Sequence, residues 1–222
     1  MKKFALIVAG GSGNRMNSEI PKQFLELNGR PVIMHTIDVF KRYDKKVEII
    51  LVLPKNQVAL WNKLSEKHNF KTNCTIVPGG ENRFQSVKNG LNTISTDGIV
   101  FIHDGVRPLV SIETIINCFE TALLKGNALP VVPVNESVRI LEGNKNRSVD
   151  RSEYMLVQTP QTFKTRLIQK AYEQAASDLF TDDATVLEHF GEAVNLVPGN
   201  RENIKITYPQ DLAFAESILS LQ

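Results

Sequence analysis

Cysteine is scarce in this chain of 222 residues. Cys74 and Cys118 have no metal-ligand spacing and fall in apolar surroundings, which argues against a zinc module or a disulfide-framed secreted domain and makes them reduced structural residues. An excess of one charge is missing as well. Lys plus Arg number 26 against 24 for Asp plus Glu, and the net +2 supplies no general field for nucleic acid or an anionic membrane. Any anion site must therefore be local. No uncharged apolar run approaches the roughly 18 residues of a membrane span, and Met1-Lys2-Lys3 leads straight into a strand-like run without a cleavage pattern. A cytoplasmic protein that binds neither nucleic acid nor membrane is expected. Repeats and low-complexity segments are absent, and the length suits a single domain over 1–222.

Two familiar phosphate-binding motifs are also lacking. The stretch LIVAGGSGNRMNSEIPKQF (Leu6 to Phe24) has Met16 where the third glycine of a dinucleotide fingerprint belongs. It is not a P-loop either, because no glycine immediately precedes Lys22 and Gln23 follows it. What remains is a concavity of main chain around Gly10, Gly11 and Gly13, with Arg15 and Lys22 beside it, where N–H groups can face an anion. A polyphosphate fits it, and so does an ordinary strand-to-helix turn with solvated cations.

Strand-like runs alternate with helical patterns. Strands are expected at Lys3–Ala9, Val47–Leu53, Cys74–Val77, Ile99–His103 and Ala128–Val134, with helices near Val32–Arg42, Gln57–Asn69, Arg83–Ile94 and Ile112–Lys125. Continuously apolar strands suit burial on both faces, so the fold class is α/β, a Rossmann-like mostly parallel sheet with helices on both faces. Asn28-Gly29 marks a tight turn and Pro31 a helix opening. The alternation breaks at about 135–156, where Glu142 to Asn146 is a polar turn between Ser137–Leu141 and Ser148–Arg151. That reads as a projecting β-hairpin arm. Helices near Lys164–Ala176, Asp182–Phe190 and Gln210–Leu221 follow, with a short strand at Ala193–Val197 and the segment Asn203–Thr207.

Open α/β sheets bind ligands outside the carboxyl ends of their strands, and the unusual polar clusters fall there. Strand one ends in the glycine loop, strand three in Pro78-Gly79-Gly80 with Arg83 and Ser86 behind, and strand four in His103-Asp104-Gly105-Val106-Arg107-Pro108. Asp104 ends an apolar strand, where a carboxylate is costly unless paired or bound to metal, so it is the candidate ligand for Mg²⁺. A helix N-cap or an ion pair with Arg107 is the alternative. His103 has no second histidine near it in sequence and reads as a packed residue rather than a base. Gly79-Gly80 would let a planar base approach the main chain and Ser86 could add a hydroxyl contact, unless the stretch is a plain turn and N-cap.

Taken in order, these residues resemble the 2-C-methyl-D-erythritol 4-phosphate cytidylyltransferases of the non-mevalonate isoprenoid pathway. The resemblance runs nearly end to end, through Ala9–Met16, Pro21-Lys22-Gln23, Pro78–Gly80, His103–Pro108, Val149–Arg151, Gln158–Gln161, Thr181–Ala184 and Asn203–Thr207. It implies a nucleotidyltransferase fold, CTP and a sugar-alcohol phosphate as substrates, Mg²⁺ as cofactor and a homodimer joined through the arm. By the same resemblance Arg15, Lys22 and Lys205 are catalytic around the triphosphate, Asp104 holds the metal, and Ala9, Gly10, Gly11, Gly80, Arg83 and Ser86 line the nucleotide site. Gly105, Arg107 and Thr181 would face the sugar phosphate with Lys205, and Ser137 and Arg151 would reach it from the neighbouring subunit. Gly105-Val106 and Ser137 depart from the usual Ala-Ala and threonine.

The ribitol 5-phosphate cytidylyltransferases share much of this pattern. They typically place one more residue between Arg-Met and Pro-Lys-Gln than Asn17–Ile20, and they tend to carry an Asp-Arg-Asn-Glu-Thr type of run after the paired glycines where this chain has Asn82-Arg83-Phe84-Gln85-Ser86-Val87. Both details favour the methylerythritol enzyme. A nucleotide-sugar-dependent glycosyltransferase would be expected to carry a D-x-D pair where this chain has the single Asp104, and a non-catalytic nucleotide binder would not need Arg15, Lys22, Asp104 and Lys205 together.

Overall fold

Seven strands lie side by side in the order β10-β7-β11-β6-β1-β4-β5, and β12 also pairs with β7. In chain order the elements of the first half are β1 (Lys2–Val8), β2 (Glu26–Leu27), β3 (Arg30–Pro31), α1 (Val32–Tyr43), β4 (Glu48–Leu53), α2 (Val58–Lys67), β5 (Cys74–Pro78), α3 (Arg83–Leu91), β6 (Gly98–Asp104), α4 (Ile112–Lys125) and β7 (Asn127–Pro133). The second half adds β8 (Arg139–Glu142), β9 (Lys145–Ser148), β10 (Met155–Val157), β11 (Gln161–Lys164), α5 (Thr165–Ala171), α6 (Asp183–His189), β12 (Leu196–Pro198) and α7 (Pro209–Leu219). This computed structural model describes residues 1–11, 16, 18, 20–177 and 179–221.

Strand periodicity splits β1 between two cores. Ala5 and Ile7 face α1, α2 and α4 in a cluster with Ile37, Phe40, Trp61, Phe101 and Ile115, whereas Phe4 and Leu6 face α3, α5 and α6 with Val87, Ile168 and Leu187. Both faces are therefore apolar, which is why the strand reads as an unbroken run. Each fully buried side chain of this size contributes about 1.5–3 kcal/mol. The cover is close: a Cβ on Gly90 of α3 would lie 2.7 Å from Leu6 Cδ1, so only glycine lets the helix settle on β1. Asn28 and Gly29, at φ 48° and 73°, make the turn between β2 and β3, where positive φ favours those two residue types. Pro31 then stands at the N-cap of α1.

β1 is parallel to β4 and β6, and β4 to β5. The sheet is more mixed than the sequence pattern suggests, because β11 runs antiparallel between β6 and β7 and β10 is antiparallel to β7. Neither strand is legible in sequence: one is short and polar at its ends, the other only three residues long. Three helices end earlier than their patterns do. α3 stops at Leu91, α2 at Lys67 and α5 at Ala171, since apolar residues beyond those points pack from turns rather than from helix. The polar stretch forms the two-stranded β8–β9 sheet, turned at Gly143 (φ 62°) and hydrogen-bonded to no strand of the main sheet. Cys74 and Cys118 are unpaired, and burial pushes both thiols up to about 12.

Candidate active site

The carboxyl ends of β1, β4, β5 and β6 open onto one cavity of about 320 Å³. Its floor is main chain. Ala9, Gly10 and Gly11 continue from β1, and the three-residue turn Lys22–Phe24, opened by Pro21, brings Lys22 over them. A Cβ on Gly11 would sit 3.4 Å from Lys22 Cε, so the ammonium stem lies directly against the glycine. Lys22 is only 8% exposed, so its charge acts in a medium that screens it weakly. The next residue is a site feature that no sequence signal beyond the Pro21-Lys22-Gln23 triplet marks. Gln23 is fully buried, and its Nε2 donates to Ala9 O at 2.9 Å and to Gln57 Oε1 at 2.6 Å, bracing the cavity floor against the start of α2.

The opposite wall is the β5–α3 junction. Asn82 caps α3 by accepting from Gln85 N at 2.8 Å. Ser86 Oγ donates to Asn82 O at 2.8 Å and accepts from Gly80 N at 3.1 Å. The turn-and-cap geometry and the cavity wall are thus one structure. The Gly80 N–H is therefore engaged within the wall itself. A Cβ at Gly80 would lie 2.2 Å from Gln85 Cγ, so the turn requires glycine.

Asp104 terminates β6 inside the cavity and is 8% exposed. It caps no helix; α4 is capped by Ser111. Its Oδ2 meets Arg107 Nε at 3.2 Å and Lys205 Nζ at 3.0 Å. Burial alone would raise this carboxyl, but the charges of Lys205, Arg83 and Arg107 hold it well below the usual carboxylate range. Arg83 is bound bidentately by Asp183, with contacts of 2.8 and 2.6 Å, and Tyr172 Oη donates to Asp183 Oδ1 at 2.5 Å. Burial would lower the Arg83 pKa, yet the Asp183 charge and hydrogen bonds raise it, so it stays cationic.

His103 is fully buried and is not a base. Its Nε2 must donate to Arg107 O (3.0 Å), a group that only accepts, which leaves Nδ1 to accept from Thr159 Oγ1 at 2.9 Å. Burial pushes this imidazole down to about 4.

Of the residues singled out from sequence, Ala9, Gly10, Gly11, Lys22, Gly80 and Arg83 border the cavity, as do Ser86, Asp104 and Lys205. Arg15 lies outside the described residues. Gly105 and Arg107 stand just behind the lining: Gly105 N donates to Val8 O at 2.8 Å, and Arg107 Nη1 donates to Asn203 O at 2.7 Å. A Cβ at Gly105 would fall 2.9 Å from that of Ala9, so glycine brings this strand end closer to β1 than alanine could without a shift. Ser137, Arg151 and Thr181 are exposed and do not border this cavity. Arg151 instead donates to Asn135 O within the base of the arm.

Among the described residues no group of three or more His, Cys, Asp or Glu side chains could hold a metal alone. A single hard carboxylate beside a main-chain anion cradle nevertheless fits Mg²⁺, which is commonly held by one or two carboxylates and completed by substrate phosphates. Main-chain walls, parallel strand ends and cations grouped about one carboxylate define an α/β nucleotidyltransferase.

Comparison with known proteins gives the particular family. Residues 4–221 match 2-C-methyl-D-erythritol 4-phosphate cytidylyltransferase. The chain is 52% identical over 219 residues to the protein so named from Bacteroides fragilis, covering 99% of this chain and 100% of that one. It is 39% identical to the one from Geobacillus kaustophilus, covering 97% and 96%. The solved structure of the 4-diphosphocytidyl-2C-methyl-D-erythritol synthase from Anaerococcus prevotii matches with a TM-score of 0.84 at 31% identity, covering 99% and 98% of the two chains. The chain belongs to the 2-C-methyl-D-erythritol 4-phosphate cytidylyltransferase family and is a nucleotidyl-transferring enzyme.

Proposed function

We propose that the cavity at the strand ends is where CMP passes from CTP to 2-C-methyl-D-erythritol 4-phosphate, the acceptor of this family. An oxygen of the 4-phosphate attacks the α-phosphorus of CTP in line. The bond from that phosphorus to the bridging oxygen breaks, and pyrophosphate leaves with the electron pair. The nucleophile is already anionic at neutral pH, so no general base is required, and burial of His103 in its own hydrogen bonds agrees with that. The task is to bring two repelling anions together and to neutralise charge on a crowded phosphorus.

Lys22 and Lys205, with Arg15, surround the triphosphate and stabilise the charge that grows at the α-phosphorus. Ala9, Gly80 and Ser86 receive cytosine through main-chain and hydroxyl groups. Arg83, neutralised by Asp183, contributes N–H groups more than net charge. Asp104 holds Mg²⁺, which, when bound, withdraws charge from the triphosphate and its leaving group. Arg107 and Thr181 orient the acceptor phosphate. The arm reaches a second copy of the chain, where Ser137 and Arg151 complete that copy's site; exposed Leu141 and the exposed edge Met155–Val157 support such a homodimer.

The observation that carries this reading is the enclosure of Lys22, Arg83, Asp104 and Lys205 around one glycine-walled cavity. It is tested by pyrophosphate release from CTP with methylerythritol phosphate, ribitol 5-phosphate and several sugar phosphates. Methylerythritol phosphate should give the highest kcat/KM; faster turnover of ribitol 5-phosphate would overturn the assignment.

A further inference from the structure

We infer that Thr159, which does not border the cavity, is a positioning residue for Asp104 and Arg107, acting through a hydroxyl that accepts and donates at once. The inference rests on the proposed roles of Asp104 and Arg107 at the phosphates.

Thr159 is 5% exposed and lies two residues beyond β10, the strand that returns from the arm. Its Oγ1 accepts from the main-chain N–H of Asp104 at 3.2 Å and donates to His103 Nδ1 at 2.9 Å. Arg107 O can only accept, so His103 Nε2 donates to it at 3.0 Å, and the Thr159 hydroxyl matches the tautomer this requires by donating to the free Nδ1. One hydroxyl thus ties down both ends of the Asp104–Arg107 turn. Asn203, fully buried, repeats the arrangement from the other side. Its Nδ2 donates to Thr159 O at 2.7 Å while its carbonyl accepts from Arg107 Nη1 at 2.7 Å.

The chemistry of a threonine is needed for this. Valine has the same shape but can neither accept from Asp104 nor donate to His103, leaving two buried polar groups without the partners they have now. Serine keeps both bonds and loses only a methyl group. A merely structural role for Thr159 would make valine the milder replacement, since it keeps the packing. A positioning role makes serine the milder one.

The test compares Thr159→Val, Thr159→Ser and Asp104→Asn. Calorimetry measures CTP binding with and without Mg²⁺, steady-state kinetics give kcat/KM, and nitrogen-15 spectra report the ring state of His103. In the wild-type protein His103 should be the Nε2–H tautomer with Nδ1 accepting; the opposite tautomer would overturn the inference without any variant. Thr159→Val should weaken Mg²⁺-dependent CTP binding and lower kcat/KM by about 10–100-fold, the usual range for groups that orient a metal ligand. Thr159→Ser should stay near wild type. If Thr159→Val binds and turns over normally while Asp104→Asn is impaired, Thr159 does not position the site. Equal damage in the serine and valine variants assigns Thr159 to packing. If Asp104→Asn itself leaves Mg²⁺-dependent binding unchanged, the reading of the site falls and the inference with it.

Discussion

Lowering the pH from 7 to 5 should destabilise this protein by about 2 kcal/mol through His103 alone. Burial holds the His103 imidazole at about 4 in the folded chain, against about 6.5 when it is exposed on unfolding. As the pH falls the unfolded chain therefore takes up the proton first. The contribution of His103 to stability is fully present above about pH 6.5, is lost progressively through the window down to about 4, and is constant below it. The whole shift corresponds to about 3 kcal/mol, most of which falls above pH 5. Urea unfolding of wild type and His103→Gln at pH 7 and pH 5 measures the term. Glutamine can make comparable bonds to Thr159 and Arg107 but does not titrate. His35, whose pKa burial also lowers, remains in both proteins and cancels in the comparison. The wild type should lose about 2 kcal/mol more than the variant between the two pH values. Equal pH dependence in both would refute the reasoning, for it would mean that His103 is protonated at no special cost in the core.

Three further outcomes are expected. Lys22→Ala should lower kcat by about 10²–10³ while CTP binding weakens far less, because the charge it meets grows in the transition state; a change confined to KM for CTP would make Lys22 a binding residue only. Asp183→Asn should cost about 3 kcal/mol, the lower end of the range for breaking a buried pair, because Asp183 is fully buried while Arg83 is partly open to the cavity, and the apolar pair Arg83→Met with Asp183→Leu should cost much less than the two single changes added. Strict additivity in denaturant unfolding would count against a coupled Arg83–Asp183 pair. Co-expression of Lys22→Ala and Arg151→Ala chains should restore about one quarter of wild-type activity, because half the dimers are mixed and each mixed dimer keeps one intact site. No recovery with mixed dimers verified would show that the arm serves its own chain.

The parts of this protein that local chemistry governs were legible in its sequence. An unbroken apolar run leading into glycines announced β1, because a strand buried on both faces has nowhere to place polar residues and a main-chain cradle cannot carry side chains. The polar hairpin around Gly143 declared itself in the same way, by having nothing to bury. Tertiary structure alone decided what pairs with what. β11 is a central strand because β6 and β7 flank it, although Gln161–Lys164 carries no strand pattern of its own. Nothing in the sequence around Arg83 announces its partner, because Asp183 reaches it from 100 residues away. Asp104 was visible as a costly carboxylate, but the hydroxyl of Thr159 and the buried amides of Gln23 and Asn203 were not, since a polar side chain shows its purpose only through the partner it meets in the fold.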